Sequence, residues 1–273
     1  MTTDQIRVLV LGAHPDDPDF KVGGTAALYS RMGHVVKMVS VTNGDAGHHE
    51  MGGAPLAWRR RAEAAASGER LGCEYITLDN HDGELLPTLE ARREIIEIIR
   101  DFQPDLVTTP RPWDYHPDHR YTSQLVQDAM YMVTVPNVVS RAPHLSRNPV
   151  AVYVADHFQK PYPFRPDVVV GIDEVIEQKV DALHCHTSQM YEWLPYNRGQ
   201  LDQVPQNPDE RRPWLRQLLD ARFRGPADLY RDKLIELYGQ ERGSQIKYAE
   251  AFEVCEYGAP LTEENLHRLF PFF

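Results

Sequence analysis

The chain has 273 residues, 42% of them hydrophobic and 25% charged, and its formal net charge is −11. This length suffices for one large hydrophobic core, whereas the negative charge argues against general binding to nucleic acids or anionic membranes, which would repel it. The three cysteines are widely spaced and form no disulfide framework, and no apolar run is long enough to span a bilayer. We therefore expect a cytoplasmic protein without nucleic-acid partners or membrane insertion.

The first half of the chain alternates two kinds of pattern. Continuous apolar runs at residues 6–12, 35–41, 74–78 and 106–109 are typical of strands buried on both faces. Helical patterns at residues 19–32, 55–71 and 89–102 lie between these runs, and a further helix is expected from Asp118 to about residue 132. This alternation predicts an α/β fold with a Rossmann-like, mostly parallel sheet flanked by helices.

The second half of the chain is less regular. Strands are predicted at residues 150–155, 168–172 and 248–254, and helices at residues 174–186 and 228–238. Since no linker is evident, residues 1–273 are predicted to form a single domain.

Residues 194–226 form an excursion that is rich in Pro, Arg and Gln. Its prolines disfavour a continuous helix, while its tryptophan and leucine side chains need a partner to pack against. We expect this excursion to form a wall of a substrate cleft and to determine substrate choice. The alternative is a contact with another subunit of a homo-oligomer.

Two loops carry histidines and carboxylates at corresponding places. Open α/β sheets bind ligands at the carboxyl ends of their strands. The first predicted strand ends in AHPDD at residues 13–17, and the fourth leads to DYHPDH at residues 114–119. Two histidines and one carboxylate from such loops would hold zinc and leave positions open for water and substrate. The alternative is structural, since Asp17 and Asp118 could each cap a helix.

The pairing of AHPDD with HPDH about a hundred residues later resembles the signature of the LmbE-like (PIG-L-type) metal-dependent de-N-acetylases. The resemblance implies a hydrolase that removes an N-acetyl or other N-acyl group from a small-molecule substrate, a sugar derivative. Where many members have a glutamate after this first motif, Asp19 stands in for it. Further segments match the family outside the excursion: GGT at 23–25, TNGD at 42–45, RRAE at 60–63, LG at 71–72, 179–189 ending in HTSQ, and YAEAF at 248–252.

The resemblance also assigns roles to the residues of the first motif. It implies that His14, Asp17 and His119 bind one divalent metal, Zn²⁺ with Fe²⁺ as the alternative. It further implies that Asp16 is the general base that takes a proton from a metal-activated water.

Three more residues complete the expected site. The resemblance implies that His116 stabilises the oxyanion or protonates the departing amine, and that Arg60 lies near the substrate. Asp118 lies between two functional histidines, and we expect it to orient one of them through a hydrogen bond.

Aromatic residues near these motifs are candidates for stacking on a sugar ring, with packing in the core as the alternative. They are Trp113, Tyr115, Tyr191 and Trp193. Among the remaining histidines, His186 is the one expected to approach the site.

Other classes of function fit the sequence less well, except for one close alternative. A Rossmann-type nucleotide binder is disfavoured because His14 to Asp17 replace the glycines that let a pyrophosphate approach the backbone. A non-haem iron oxygenase shares the His/His/carboxylate set but usually has an antiparallel barrel. A metal-binding protein without activity is disfavoured because Asp16 and His116 are present. An amidase acting on a sugar–cysteine conjugate, or on another non-sugar N-acyl compound, would use the same site and stays open.

Overall fold

The computed structural model describes residues 5–273, and seven strands form one sheet in it. Every predicted strand occurs, with ends within two residues of those expected. The strands are β1 (Arg7–Gly12), β2 (Val35–Thr42), β3 (Glu74–Asn80), β4 (Leu106–Thr109), β5 (Val150–Val154), β6 (Val168–Gly171) and β7 (Ala249–Cys255).

The strand order across the sheet is β3-β2-β1-β4-β5-β7-β6. Strands β1 to β5 pair in parallel, while β7 lies antiparallel between β5 and β6. The order reverses between β1 and β4, which is the place where open α/β sheets form their binding crevice. The predicted mostly parallel, Rossmann-like α/β fold is confirmed.

Within residues 5–273, no helix combines the length and apolar character required to cross a bilayer.

Helices connect the strands and cover the sheet. The α-helices are α1 (Asp17–Arg31), α2 (Gly53–Leu71), α3 (Leu89–Phe102), α4 (Pro117–Met132), α5 (Ile176–Cys185), α6 (Leu194–Asn197), α7 (Pro208–Leu229), α8 (Arg231–Tyr238), α9 (Gln240–Gln245) and α10 (Glu263–Leu269), with short 3₁₀ turns at Asp173–Val175 and Leu201–Gln203 and a π-helical turn at Gln189–Trp193.

Local sequence signals determine where helix α3 begins and which of its faces is buried. The Thr88 side chain accepts a hydrogen bond from the Ala91 backbone N–H and so caps the first turn. Ile95, Ile96 and Ile99 form one buried stripe at helical spacing, and they pack on the sheet.

The core lies on both faces of the sheet. Val8 and Val10 of β1 pack in one layer with residues of α1, α2, α5 and α7. Leu9 and Leu11 point the opposite way and pack with residues of α3 and α4. A parallel strand covered on both faces has no polar face, which explains the continuous apolar run of β1.

A buried ion pair ties α1 to strand β7. Glu250 accepts hydrogen bonds from the backbone N–H groups of Gly24 and Thr25 at 2.8 and 2.7 Å. The Nζ of Lys179 donates to Glu250 at 2.6 Å, and both side chains are almost fully buried. The helix that follows the AHPDD loop is therefore fixed by a strand more than 200 residues further along the chain.

Residues 194–226 contain no single continuous helix, as the prolines predict, but residues 208–226 all belong to the longer helix α7, which the sequence analysis did not expect. Pro208 is compatible with this helix because it lies in the first turn, where its missing N–H needs no partner. Leu215, Leu219 and Phe223 lie four residues apart and are 1%, 4% and 3% exposed. Burying all three contributes roughly 4.5–9 kcal/mol, which is of the same size as the roughly 6 kcal/mol that the two interior prolines, Pro213 and Pro226, cost together.

Candidate metal centre and active site

The two motif loops meet at the point where the strand order reverses. AHPDD connects β1 to α1, and DYHPDH connects β4 to α4. Since β1 and β4 are adjacent and parallel, both loops leave the same edge of the sheet. The site therefore lies at the carboxyl ends of the strands, where the sequence places it.

Three side chains predicted as metal ligands come together there. Asp17 Oδ2 lies 3.2 Å from His14 Nδ1 and 3.2 Å from His119 Nε2. The two ring nitrogens are 3.3 Å apart. Tetrahedral ligation with bonds of about 2.1 Å separates ligand atoms by roughly 3.4 Å, so these three atoms fit one small divalent cation.

Asp17 and Asp118, the two candidate helix caps, do not cap the helices that follow them. Asp17 Oδ2 accepts from the His14 backbone N–H at 2.8 Å, and the residue at the cap position, Asp16, makes no capping hydrogen bond. At the start of α4 the cap is His116, whose Nδ1 accepts from the Asp118 backbone N–H. The capping interpretation of Asp17 and Asp118 is therefore wrong.

The charge balance of this cluster favours a bound cation. Burial alone would lower the pKa of His14, yet hydrogen bonds to the carboxylates of Asp118, Asp17 and Asp82 raise it well above its usual value. Burial also opposes protonation of His119, but mainly the charge of Asp17 raises its pKa to about 9. The carboxylates thus stabilise positive charge between these residues, which a divalent metal supplies when the imidazoles bind it as neutral ligands.

Three carboxylates contact the ring nitrogens of His14 and His119. His14 Nε2 lies 3.2 Å from Asp118 Oδ2 and 3.1 Å from Asp82 Oδ1. His119 Nδ1 lies 3.0 Å from Asp114 Oδ1. Such partners fix the tautomer and the ring orientation of a metal-binding histidine.

Asp82 and Asp114 were not singled out in the sequence. Asp114 opens the DYHPDH motif, so its place five residues before His119 was an available signal. Asp82 follows β3, which β2 separates from β1, and no local pattern links it to His14. Asp118 also accepts from the backbone N–H groups of Gly83 and Leu85, so it anchors the loop that carries Asp82.

Two other groups of possible ligand atoms overlap the trio of His14, Asp17 and His119. Atoms of His14, His116 and His119 lie within 4.8 Å of one another, as do those of His14, Asp82, His116 and Asp118. The latter group uses the Nε2 side of His14, where Asp118 is already engaged by backbone N–H groups. The better-matched set is therefore the trio of His14 Nδ1, Asp17 Oδ2 and His119 Nε2.

Asp16 turns away from this trio toward Arg60. Its Oδ1 accepts from the Arg60 guanidinium at 2.9 Å, and the Arg60 side chain is 2% exposed. Arg60 also donates to the Gly44 carbonyl at 3.2 Å. Burial raises the pKa of Asp16, and the charge of Arg60 opposes that rise. Arg60 therefore positions Asp16, while its predicted contact with substrate stays a prediction.

His116 presents its Nε2 to the cleft. Because Nδ1 accepts the Asp118 backbone N–H at 3.2 Å, the neutral ring carries its hydrogen on Nε2. Burial, together with the positive charges of His14 and His119, lowers the pKa of His116. The ring is thus suited to donate a hydrogen bond as a neutral group rather than as a cation.

The site opens into a cleft of about 590 Å³. This volume falls in the range of roughly 300–1,000 Å³ that is typical of small-molecule sites. The excursion contributes part of the wall, as the sequence predicts, and its lining residues are Leu194, Asn197, Arg198 and Arg222.

The aromatic candidates divide into two groups. Tyr115 and Trp193 line the cleft, and Tyr115 is 73% exposed. Tyr191 is buried and bonded to His184, while Trp113 packs edge-on against Tyr162 outside the cleft lining.

His186 does not reach the cleft. It is fully buried, and its Nε2 lies 3.0 Å from Asp19 Oδ2. Asp19 also accepts a hydrogen bond from the Ser67 hydroxyl, so it joins α1 to α2 and to the end of α5.

Comparison with known proteins decides the family. The family model "PIG-L: GlcNAc-PI de-N-acetylase" matches residues 9–130. Diacetylchitobiose deacetylase of Thermococcus kodakarensis is 34% identical over 206 residues, which cover 71% of this chain and 76% of that protein. The chain belongs to the PIG-L family.

Two further similar proteins are informative. One aligns with more of the chain, and the other is named for a different reaction. The solved structure of N,N'-diacetylchitobiose deacetylase from Pyrococcus horikoshii aligns with a TM-score of 0.69 and 28% identity, covering 93% of this chain and 85% of that one. A 4-oxalmesaconate hydratase of Pseudomonas putida is 27% identical over 206 residues, covering 72% of this chain and 80% of that protein. Deacetylases and a hydratase are thus both among the relatives.

Proposed function

We propose that this protein is a metal-dependent hydrolase that removes an N-acetyl or other N-acyl group from a sugar-like amine. The observation that carries the proposal is the convergence of His14, Asp17 and His119 in an open cleft, with Asp16 beside them but bonded elsewhere. The relatives named for deacetylation of sugars support the same reaction.

The ligand set suits Zn²⁺, with Fe²⁺ as the alternative, because two imidazoles and one carboxylate bind either ion. When bound, such an ion polarises an amide carbonyl and lowers the pKa of a water molecule toward neutrality.

Asp16 is proposed as the general base. Arg60 holds Oδ1, and no hydrogen bond from residues 5–273 engages Oδ2, which leaves that oxygen for the attacking water. A buried carboxylate with a raised pKa is a better proton acceptor than an exposed one. The same carboxyl group can then pass the proton to the departing nitrogen.

His116 is proposed to stabilise the oxyanion. Its Nε2–H is fixed by the hydrogen bond at Nδ1, so the ring is oriented before the substrate binds. A single positioned donor of this kind contributes about 2.7–4 kcal/mol to transition-state stabilisation.

Two other reactions compete with this proposal. An amidase acting on a sugar–cysteine conjugate or another non-sugar N-acyl compound would need only a different fit in the cleft. The hydratase relative favours a second candidate, addition of water to a carbon–carbon double bond. Deacetylation is preferred because the deacetylase relative is the more similar of the two, at 34% against 27% identity.

The test is an activity screen of protein loaded with Zn²⁺ or with Fe²⁺. N-acetylglucosamine, diacetylchitobiose, a sugar–N-acetylcysteine conjugate and simple N-acyl amines are assayed for release of acid and free amine. We expect release from at least one sugar amide. Hydration of an unsaturated dicarboxylic acid, with no amide cleaved by the metal-loaded protein, would overturn the proposal in favour of the second candidate.

A further inference from the structure

Part of the cleft lining carries positive charge that the proposed hydrolysis does not use. Lys21 of α1, Arg198 after α6 and Arg222 of α7 all line the cleft. The two arginines come from the excursion.

Of the arginines in α7, only Arg222 lines the cleft. Arg212 pairs with Asp181, Arg216 and Arg224 both pair with Asp220, and Arg211 donates to the Pro205 carbonyl. The Arg222 guanidinium instead lies over the ring of Phe20, 4.3 Å from its centre. Within residues 5–273, no carboxylate pairs with Arg222. Stacking on Phe20 holds the guanidinium plane and leaves its N–H edges available to a ligand.

Arg198 and Arg222 are both exposed, so an anion that enters the cleft from solvent can reach them. Lys21 Nζ donates to the Ala155 carbonyl at 2.7 Å, which fixes a third positive charge in the same lining.

We propose that Arg198 and Arg222 bind an anionic group of the substrate, a carboxylate or a phosphate. Lys21 adds positive charge beside them. This inference rests on the proposed function. Arginine is suited to this because its planar fork makes paired hydrogen bonds to either group. The amide would then lie at His14, Asp17 and His119, and the anion at α7.

The charge distribution of the cleft favours this single orientation. The lining also contains five carboxylates, which disfavour an anion beside them: those of Asp16, Asp17, Asp82, Asp114 and Asp156. The whole chain has a net charge of −11, so the arginine wall is a local exception to the charge of the protein. An anionic substituent therefore has one favourable place in this cleft, and occupying it aligns the amide with the metal centre.

The experiment compares matched substrates that differ in their charge. N-acetylglucosamine is the neutral member, N-acetylglucosamine 1-phosphate and 6-phosphate are the phosphate arms, and N-acetylmuramic acid is the carboxylate arm. We expect at least one anionic arm to exceed the neutral one in kcat/KM by roughly tenfold or more, the size of one charged hydrogen bond. The arm that is preferred identifies the anion.

Variants of α7 locate the preference. Arg222→Gln should remove most of it, mainly by raising KM for the preferred anionic compound more than for N-acetylglucosamine, and Arg222→Lys should keep part of it. Arg224→Gln is the matched control on the same helix, because Arg224 faces Asp220 and Tyr248. Equal kcat/KM on all arms, or an equal loss on all arms in Arg222→Gln, would overturn the proposal.

A binding measurement separates failure of this inference from failure of the proposed function. Calorimetry uses the metal-loaded Asp16→Asn variant with the same four compounds, so that no turnover is required. Tighter binding of an anionic compound that is lost with Arg222→Gln and kept with Arg224→Gln supports the anion site even if no amide is cleaved. Equal binding of all four compounds overturns it, even if the neutral amide is hydrolysed.

Discussion

Asp16 and Asp17 are neighbours in the chain, yet their carboxylates have different surroundings. Asp17 faces two imidazoles at 3.2 Å, and the charge of His119 helps to lower its pKa well below its usual range although burial opposes this. Asp16 faces Arg60, and burial raises its pKa. Two adjacent carboxylates can therefore have different roles, one as an anionic metal ligand and the other as a base.

This division predicts the behaviour of Asp16→Asn. The amide oxygen can still accept from Arg60, so the site should keep its shape and its metal, while proton abstraction is lost. We expect turnover to fall by about 10²–10⁴-fold with metal content unchanged, measured by steady-state kinetics and elemental analysis. Asp228→Asn, at an exposed position, is the control. Near-normal turnover of Asp16→Asn would place the base elsewhere.

Asp114 should act on the metal through His119. Removing its carboxylate with Asp114→Ala frees the ring, and such losses typically weaken metal affinity by about 10–100-fold. Asp114→Asn keeps an acceptor for His119 Nδ1 and should lose much less. Titration against a competing chelator measures both variants, and equal affinity in Asp114→Ala and the parent protein would contradict the role.

The residues that the sequence could identify are those whose loops enter the cleft directly. His14, Asp16, Asp17, His116 and His119 each lie in one of two short motifs, and chain order alone brings those motifs to one edge of the sheet. A contact such as that between Asp82 and His14 depends on how a third loop folds across β2, which no local pattern encodes. The catalytic roles of the residues in the two motifs stay predictions until the variants are measured.

At the scale of the element, strands and helices were predictable where burial repeats at a fixed period. The apolar run of β1 and the isoleucine stripe of α3 are such cases. In α7 the stripe of Leu215, Leu219 and Phe223 was present, but the prolines concealed it. Tertiary packing decided the outcome there, because α7 buries this stripe against the core layer that contains α1 and α5.

The packing of α7 predicts a difference between two neighbouring leucines. Leu219 is 4% exposed and Leu218 is 40% exposed. Leu219→Ala should therefore lower the free energy of unfolding by about 2–5 kcal/mol, because it leaves a cavity. Leu218→Ala should change it by well under half as much. Denaturant unfolding measures both, and similar losses would show that α7 is not held by this stripe.

At the scale of the whole molecule, a bound metal joins two loops that are about a hundred residues apart. A ligand that binds only the folded state stabilises it by about 2.7 kcal/mol at a hundred times its dissociation constant. For a chain of this size, chelation should therefore lower Tm by roughly 5–10 °C. His119→Ala should start at the lower Tm and show no further fall, whereas the exposed His144→Ala should respond like the parent. A chelator-insensitive parent protein would contradict metal binding at this site.

The sheet order was the feature of the whole molecule that the sequence did not provide. Alternating strand and helix patterns predict parallel neighbours, but they do not reveal that β7 inserts between β5 and β6. Such a placement depends on contacts between residues far apart in the chain, whose partners carry no periodic signal.

The position of β7 has a consequence for how the protein is made. All three proposed metal ligands have been synthesised once the ribosome has passed His119, yet the helix that begins with Asp17 is held by Glu250. At roughly 5–20 residues per second, the ligands wait on the order of ten seconds for that anchor. Until then the growing sheet also lacks the strand that joins β5 to β6. Nascent chains stalled before Ala249 should therefore expose an incomplete site, and metal should be acquired only after Glu250 has been added and can bind α1.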